Sequence, residues 1–152
     1  RGITANGYKN DELYGISSAS DVLLEIALAD AASTEVGDGL GVDFGTLGST
    51  WASTINALYS INGNTDELYR VDITTGEATS IAPLDVNFES VGIEWHPGDQ
   101  ELYACTDSHL YRINTEDGTT TEIGNMNHGC SNLGAQWTAV PCIDDLEETS
   151  SE

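Results

Sequence analysis

Short runs of alternating hydrophobic and polar residues, each four to eight residues long, recur along the chain and end at Gly, Asn, Asp or Pro. The runs are rich in Val, Ile, Tyr, Thr and Leu, which is typical of β-strands rather than of amphipathic helices. The segments ITTGEA and TEDGTT place Gly76 and Gly118 where a tight hairpin turn needs a positive φ angle. The pattern therefore predicts short antiparallel strands connected as a meander.

Four of these strand segments repeat together. A Leu-Tyr pair begins at Leu13, Leu58 and Leu102, 45 and then 44 residues apart. Each pair is followed by a second segment (LLEIALADA, LYRVDITTG, LYRINTEDG) and a third (STEVG, ATSIA, TTEIG), and a fourth segment reads Gly-x-x-Trp. A period of about 42 to 45 residues for four strands is that of a propeller blade. The sequence predicts an all-β fold of three four-stranded antiparallel β-propeller blades, either half of a six-bladed ring or part of a larger propeller.

The repeats also predict the organisation of the chain. They span about 2–47, 48–91 and 92–133, and a further copy of the innermost strand follows at 133–140. The three-blade segment thus covers residues 1–141, and residues 142–152 form an acidic C-terminal tail.

Three blades are fewer than the roughly four to eight of known propellers, so we expect the chain not to close a ring by itself. The expected partner is a second copy, in a homodimer that closes a six-bladed ring by exchanging the surplus strand, with Cys130 and Cys142 locking the junction. The alternative is that missing blades of a longer parent protein complete the ring. The lack of an initial Met agrees with a processed chain or a piece of a longer one.

The segment LYRVDITTGEATSIAPL, followed by VGIEWHPGDQELYA, resembles the blade repeat of secreted propellers of the NHL, PQQ-like and virginiamycin-B-lyase-like group. The resemblance covers roughly residues 2–140. It implies the architecture but no particular activity, because propellers host many unrelated functions. It also implies that the loops between blades, and the turns between the second and third strands, share the face of the central channel on which ligands bind.

The net charge limits which partners the chain can bind and in which habitat it is stable. The chain has 26 Asp and Glu against four Lys and Arg, a net charge of −22 at pH 7. Such a surface repels nucleic acid and anionic membranes, and no apolar run is long enough to span a bilayer, so neither nucleic-acid binding nor membrane insertion is expected. In molar salt the screening length falls to about 3 Å and the self-repulsion largely disappears. The charge therefore favours a protein of an extreme halophile, and the resemblance to secreted propellers implies an extracellular or cell-surface location.

The candidate ligand-binding residues lie in the loops of the predicted ligand face. They are Asp43, Phe44, Asn87, Phe88, Asp107 and His128. Three of them, Asp43, Asn87 and His128, are also candidate metal ligands, for Ca²⁺ or another divalent ion; otherwise no cofactor is expected. The alternative for Asp43 and Asn87 is that they cap their own loops. The tryptophan of each repeat is expected to pack between blades rather than to stack on sugars.

No catalytic residue is predicted, because the sequence has neither a G-x-S-x-G motif nor the Cys/His spacing of a zinc site. Cys105, Cys130 and Cys142 allow one disulfide, and the sequence does not decide which two residues form it. The favoured function is a non-catalytic ligand-binding or scaffolding propeller. The alternatives are a metal-dependent propeller lyase or hydrolase and a structural fragment of a larger surface protein.

Overall fold

The structure is a computed structural model that describes residues 3–5 and 12–135 of the 152-residue chain. These residues form three four-stranded antiparallel sheets. The strands are β1 (Ile3–Ala5), β2 (Glu12–Ser17), β3 (Val22–Ala27), β4 (Ser33–Val36), β5 (Leu47–Ala52), β6 (Ala57–Asn62), β7 (Glu67–Val71), β8 (Ala78–Pro83), β9 (Gly92–His96), β10 (Glu101–Thr106), β11 (His109–Ile113) and β12 (Thr120–Asn125). Within the same residues, no helix is long and apolar enough to cross a membrane.

Each sheet consists of four consecutive strands in chain order, so β1–β4 form blade 1, β5–β8 form blade 2 and β9–β12 form blade 3. The predicted three-blade meander is confirmed. The first strands of the three blades, β1, β5 and β9, lie side by side, as the innermost strands of a propeller do. Most of the predicted surplus strand at 133–140, and all of the tail at 142–152, lie outside the described residues.

The hydrophobic core lies between the blades. Blade 2 is covered on both sides, and its strand β6 is buried at every position. Along that strand the side chains alternate: Leu58 packs toward blade 1, whereas Tyr59 and Ile61 pack toward blade 3. Trp51 and Trp95 are buried in the same two layers, so the predicted role of these tryptophans in blade packing is confirmed.

The turn between the third and fourth strands of each blade needs one residue in the left-handed conformation. Gly76 and Gly118 have φ angles of 75° and 74°, as the sequence predicts. Blade 1 has Ala31 at the same position, with a φ of 60°. The N–H of Ala31 donates to the carbonyl of Ala27 at 2.9 Å, as the N–H of Gly76 does to Asp72 at 2.8 Å. Blade 1 therefore keeps the turn geometry with a residue that is strained by it.

Replacing Ala31 with Gly is expected to stabilise the chain by about 0.5 kcal/mol. A left-handed conformation costs an L-residue about 1 kcal/mol, and the greater freedom of Gly in the unfolded chain offsets about half of this gain. Gly76→Ala is expected to destabilise the chain, because a Cβ there would lie 2.0 Å from the Val36 carbonyl oxygen. Denaturant titration in high salt measures both changes, and a loss of stability in Ala31→Gly would contradict the explanation.

Candidate functional site

The predicted ligand face is formed by the two interblade loops at 37–46 and 84–91, by the loop at 126–135 that follows blade 3, and by the turns between the second and third strands of the blades. We call this side the upper face. Backbone hydrogen bonds join the two sets: the N–H of Leu40 donates to the carbonyl of Asp21 at 2.8 Å, and that of Leu84 to Asp66 at 2.7 Å. The loops and turns that the sequence assigned to one face therefore lie together.

Two aspartates hold the first two interblade loops by the same contact. Asp21 and Asp66 both have a φ of 52°. The Oδ1 atom of Asp21 accepts the backbone N–H of Phe44 at 2.9 Å, and that of Asp66 accepts the N–H of Phe88 at 2.7 Å. In the first loop, the buried amide of Asn62 adds a bond from Nδ2 to the carbonyl of Asp43 at 2.8 Å. These contacts fix the path of each loop across the upper face.

Phe44 and Phe88 are fully buried. Their rings lie beneath the loops, 5.1 Å from the Tyr69 ring and 6.0 Å from the Tyr111 ring respectively. The expectation that these two side chains contact a ligand is therefore corrected. Because each backbone N–H is held by an aspartate of the neighbouring turn, the ring is directed into the layer between two blades.

In the third loop Cys130 takes the place of the phenylalanine. Its Sγ is bonded to that of Cys105, a fully buried residue of β10, with the two Cα atoms 5.9 Å apart. The turn between β10 and β11 is shorter than its counterparts in blades 1 and 2. Here the backbone carbonyl of Asp107 accepts the N–H of Cys130. Cys130 is thus not available for the junction disulfide with Cys142 considered from the sequence; Cys142 lies outside the described residues.

The remaining candidates, Asp43, Asn87, Asp107 and His128, are exposed in the upper-face loops and turns. Within the described part of the chain, the side chains of Asp43 and Asn87 make no hydrogen bond, so the predicted loop capping is performed by Asp21, Asp66 and Asn62 instead. No group of three or more His, Cys, Asp or Glu side chains among residues 13–135 is placed to hold a metal ion.

Glu94, on the innermost strand β9, is an acidic side chain that the sequence analysis missed. It is half-buried; its Oε2 accepts the Thr50 hydroxyl at 3.3 Å and its Oε1 accepts the backbone N–H of Ala135 at 3.3 Å. Burial raises the pKa of Glu94 above its ordinary value, and the two hydrogen bonds oppose this effect. The repeat indicates that this strand position is polar, because the residue before each tryptophan is Thr50, Glu94 or Gln136.

Replacing Glu94 with Gln is expected to stabilise the chain at pH 7. A carboxyl whose folded pKa is raised favours folding below its unfolded pKa, and this contribution is lost as pH rises through the folded pKa. The advantage of the amide should therefore disappear at acidic pH. Denaturant titrations at pH 7 and pH 4 measure it, with exposed Glu77→Gln as the control for net charge. Equal gains in both variants would contradict the role of burial.

An open cleft of about 450 Å³ lies beside Glu94 on the outward side of blade 3, which no further described blade covers. It is lined in part by a hydrogen-bonded group: the Tyr103 hydroxyl donates to Asp99 Oδ2 at 2.7 Å, and Asp99 Oδ1 lies 2.9 Å from Nδ1 of His96. The bond from Tyr103 lowers the pKa of Asp99. Asp99 also donates its backbone N–H to the His96 ring at 3.3 Å, so this group fixes the turn after β9.

The sequence matches no protein-family model and no curated protein. Solved structures do match its fold. A Bacteroides thetaiotaomicron protein of unknown function has a TM-score of 0.65 at 14% identity, over 81% of this chain and 35% of that one. The Staphylococcus aureus virginiamycin B lyase, in an inactive form with quinupristin, has a TM-score of 0.59 at 21% identity, over 88% and 44%.

An auxiliary nutrient binding protein from Bacteroides ovatus matches with a TM-score of 0.59 at 14% identity, over 80% of this chain and 35% of that one. The chain thus spans less than half the length of each of these three structures. At these identities the likeness concerns the fold alone. The fold of this chain is that of a partial β-propeller.

Proposed function

We propose that the chain is part of a non-catalytic ligand-binding or scaffolding propeller, in a secreted or cell-surface protein of an extreme halophile, and that ligand binds at the upper face. The observation that carries this proposal is the repeated aspartate contact. Because Asp21 and Asp66 fix neighbouring loops in the same way, the exposed Asp43 and Asn87 side chains lie at equivalent positions of a preorganised surface. Preorganised loops on a rigid scaffold are the usual setting for binding residues.

The chemistry of this face favours a neutral or cationic polar ligand. Carboxylate and amide groups accept hydrogen bonds from hydroxyl and ammonium groups, whereas a net charge of −22 opposes the approach of anions. Small sugars and basic amino acids have the required groups. The similarity in fold to an auxiliary nutrient binding protein supports a binding function.

A thermal-shift screen in high salt, with neutral monosaccharides, disaccharides and basic amino acids, tests the proposal. We expect at least one class to raise the melting temperature, and the double variant Asp43→Ala/Asn87→Ala to abolish that rise. The control variant Asp117→Ala changes an exposed carboxylate on the turn between β11 and β12, away from the upper face, and should keep the response. A response that survives in the upper-face variant would place the ligand elsewhere.

The similarity to a virginiamycin B lyase favours a second candidate, a metal-dependent lyase or hydrolase. Asp43, Asn87 and His128 would then hold Ca²⁺ or another divalent ion, although their placement in separate loops is less suited to this task. Incubation with quinupristin and Mg²⁺ or Ca²⁺, followed by liquid chromatography, distinguishes the two candidates. Turnover that depends on the metal and is lost in His128→Ala would favour the enzyme over the non-catalytic binding protein.

A further inference from the structure

The two outward faces of the three-blade arc contain most of its exposed apolar residues. Three large hydrophobic side chains of the described residues are exposed: Leu28 at 62%, Ile123 at 54% and Ile55 at 45%. Leu28 lies in the turn after β3, on the outward side of blade 1, and Ile123 lies on β12, on the outward side of blade 3. Ile55 belongs to a turn of blade 2 and to neither face.

The repeat shows what these positions do inside the arc. The counterparts of Ile123 are Val36 and Ile81, and the counterpart of Leu28 in blade 2 is Ile73. Val36 and Ile73 pack against the core between blades 1 and 2, and Ile81 packs against the core between blades 2 and 3. Leu28 and Ile123 are therefore the two halves of the blade-to-blade contact that have no partner within the described chain.

The backbones at each junction approach so closely that at least one of the facing residues lacks a side chain. Gly37 and Gly76 face each other at the first junction, where a Cβ on Gly76 would lie 2.0 Å from the Val36 carbonyl oxygen. At the second junction Ala82 faces Gly118, and a Cβ on Gly118 would lie 2.7 Å from that of Ala82.

On the two free faces, one of the two corresponding residues also lacks a side chain, but here the glycine is on blade 3 and the alanine on blade 1. Gly124 stands at the position of Ala82, and among the described residues nothing lies within 4 Å of a Cβ built on it. Ala31 stands at the position of Gly118. In a contact like the second junction, the missing Cβ of Gly124 leaves room for that of Ala31.

A polar pair follows the same pattern. At the second junction the Thr120 hydroxyl of blade 3 donates to Asp85 Oδ1 of the preceding loop. The corresponding residues of the free faces are Ser33 on blade 1 and Asn127 after blade 3. A hydroxyl and an amide can form the equivalent hydrogen bond.

We propose that the outward face of blade 3 docks onto the outward face of blade 1 of a second copy of this chain, so that two chains close a six-bladed ring. Each copy supplies one face to each of the two junctions. Since known propellers have about four to eight blades, six is the multiple of three that falls in this range. The ring requires high salt, because each copy has a net charge of −22. This inference does not depend on the proposed ligand.

Light scattering of the purified chain in about 2 M KCl, where screening is strong, tests the ring. We expect a dimer with twice the 16.2 kDa mass of one chain, and we expect this mass to stay constant as the protein concentration is varied. Leu28→Asp and Ile123→Asp should each weaken dimerisation at least about tenfold, since a buried unpaired carboxylate opposes association, while Ile55→Asp should leave the dimer unchanged. Circular dichroism confirms that each variant remains folded.

Cysteines at Ser33 and Asn127, introduced together with Cys142→Ser, provide a direct geometric test, because the side chains at the equivalent positions of the second junction form a hydrogen bond. Oxidation should link two chains through the paired faces, whereas cysteines at Ser33 and Ile55 should give no link. A monomer, an open series of larger assemblies, or a dimer insensitive to both Leu28→Asp and Ile123→Asp would overturn the proposal. A monomer would instead indicate that further blades of a longer polypeptide cover these faces.

Discussion

Transfer of the purified chain from about 2 M KCl to dilute buffer is expected to unfold it. The sequence has 26 carboxylates and four basic side chains, and Arg112 Nη1 lies 3.8 Å from Glu101 Oε1, too far for a strong ion pair. At about 0.01 M salt the screening length is about 30 Å, which exceeds the spacing of charges on one small domain, whereas at 1 M it is about 3 Å. Circular dichroism and the melting temperature across a KCl series measure the effect.

Two controls separate charge screening from a general stabilisation of the compact state. Sucrose strengthens apolar burial without screening charge, so it should replace KCl poorly. The triple variant Glu35→Gln, Glu77→Gln and Glu116→Gln removes three exposed carboxylates and should fold at lower salt. A melting temperature that is constant between dilute buffer and several molar KCl would contradict the halophilic interpretation.

Phe88→Ala is expected to destabilise the chain by about 3–5 kcal/mol. The side chain is fully buried beside Tyr111, and its backbone N–H is held by Asp66, so the loop cannot easily collapse into the cavity. A loss of this size is a large part of the roughly 5–15 kcal/mol that stabilises a domain. Denaturant titration in constant high salt measures the change.

The exposed Ile55 provides the matched control, since Ile55→Ala removes apolar atoms that are already in contact with water. It should change the free energy of unfolding by less than about 0.5 kcal/mol. Phe88→Leu should lie between the two variants. If Phe88→Ala were as mild as Ile55→Ala, the ring would not be a core residue and its original assignment to the ligand face would be restored.

The repeat is what made the fold predictable. Residues one period apart, such as Leu58 and Leu102, occupy equivalent buried positions in neighbouring blades, so the sequence itself shows which strand positions are equivalent. The turns at Gly76 and Gly118 were predictable because few other residues adopt a positive φ angle without strain. The positive φ angle of Ala31 was not predictable, because alanine adopts this conformation only with strain.

The upper face was less predictable because hydrophobicity alone does not say which way a loop residue points. Phe44 and Phe88 turn inward because aspartates from another part of the chain hold their backbone N–H groups, a contact without a local pattern. The position of Cys130 in the repeat was a sequence feature that indicated the disulfide. Cys130 occupies the column of two core phenylalanines, and a cysteine there lies near Cys105 of the same layer. The position of Glu94 depends on its neighbours on two other strands, which no short segment reveals.

The consecutive order of the strands in every sheet bears on how the chain folds. Every pair of described strands, including the pair that joins Glu67 to Pro83, lies within one blade. Each blade can therefore form its own hydrogen-bond ladder, and cooperativity arises from the junctions between neighbouring blades. The middle blade, with a neighbour on either side, is then the most protected unit against hydrogen exchange, and opening begins at the outer two.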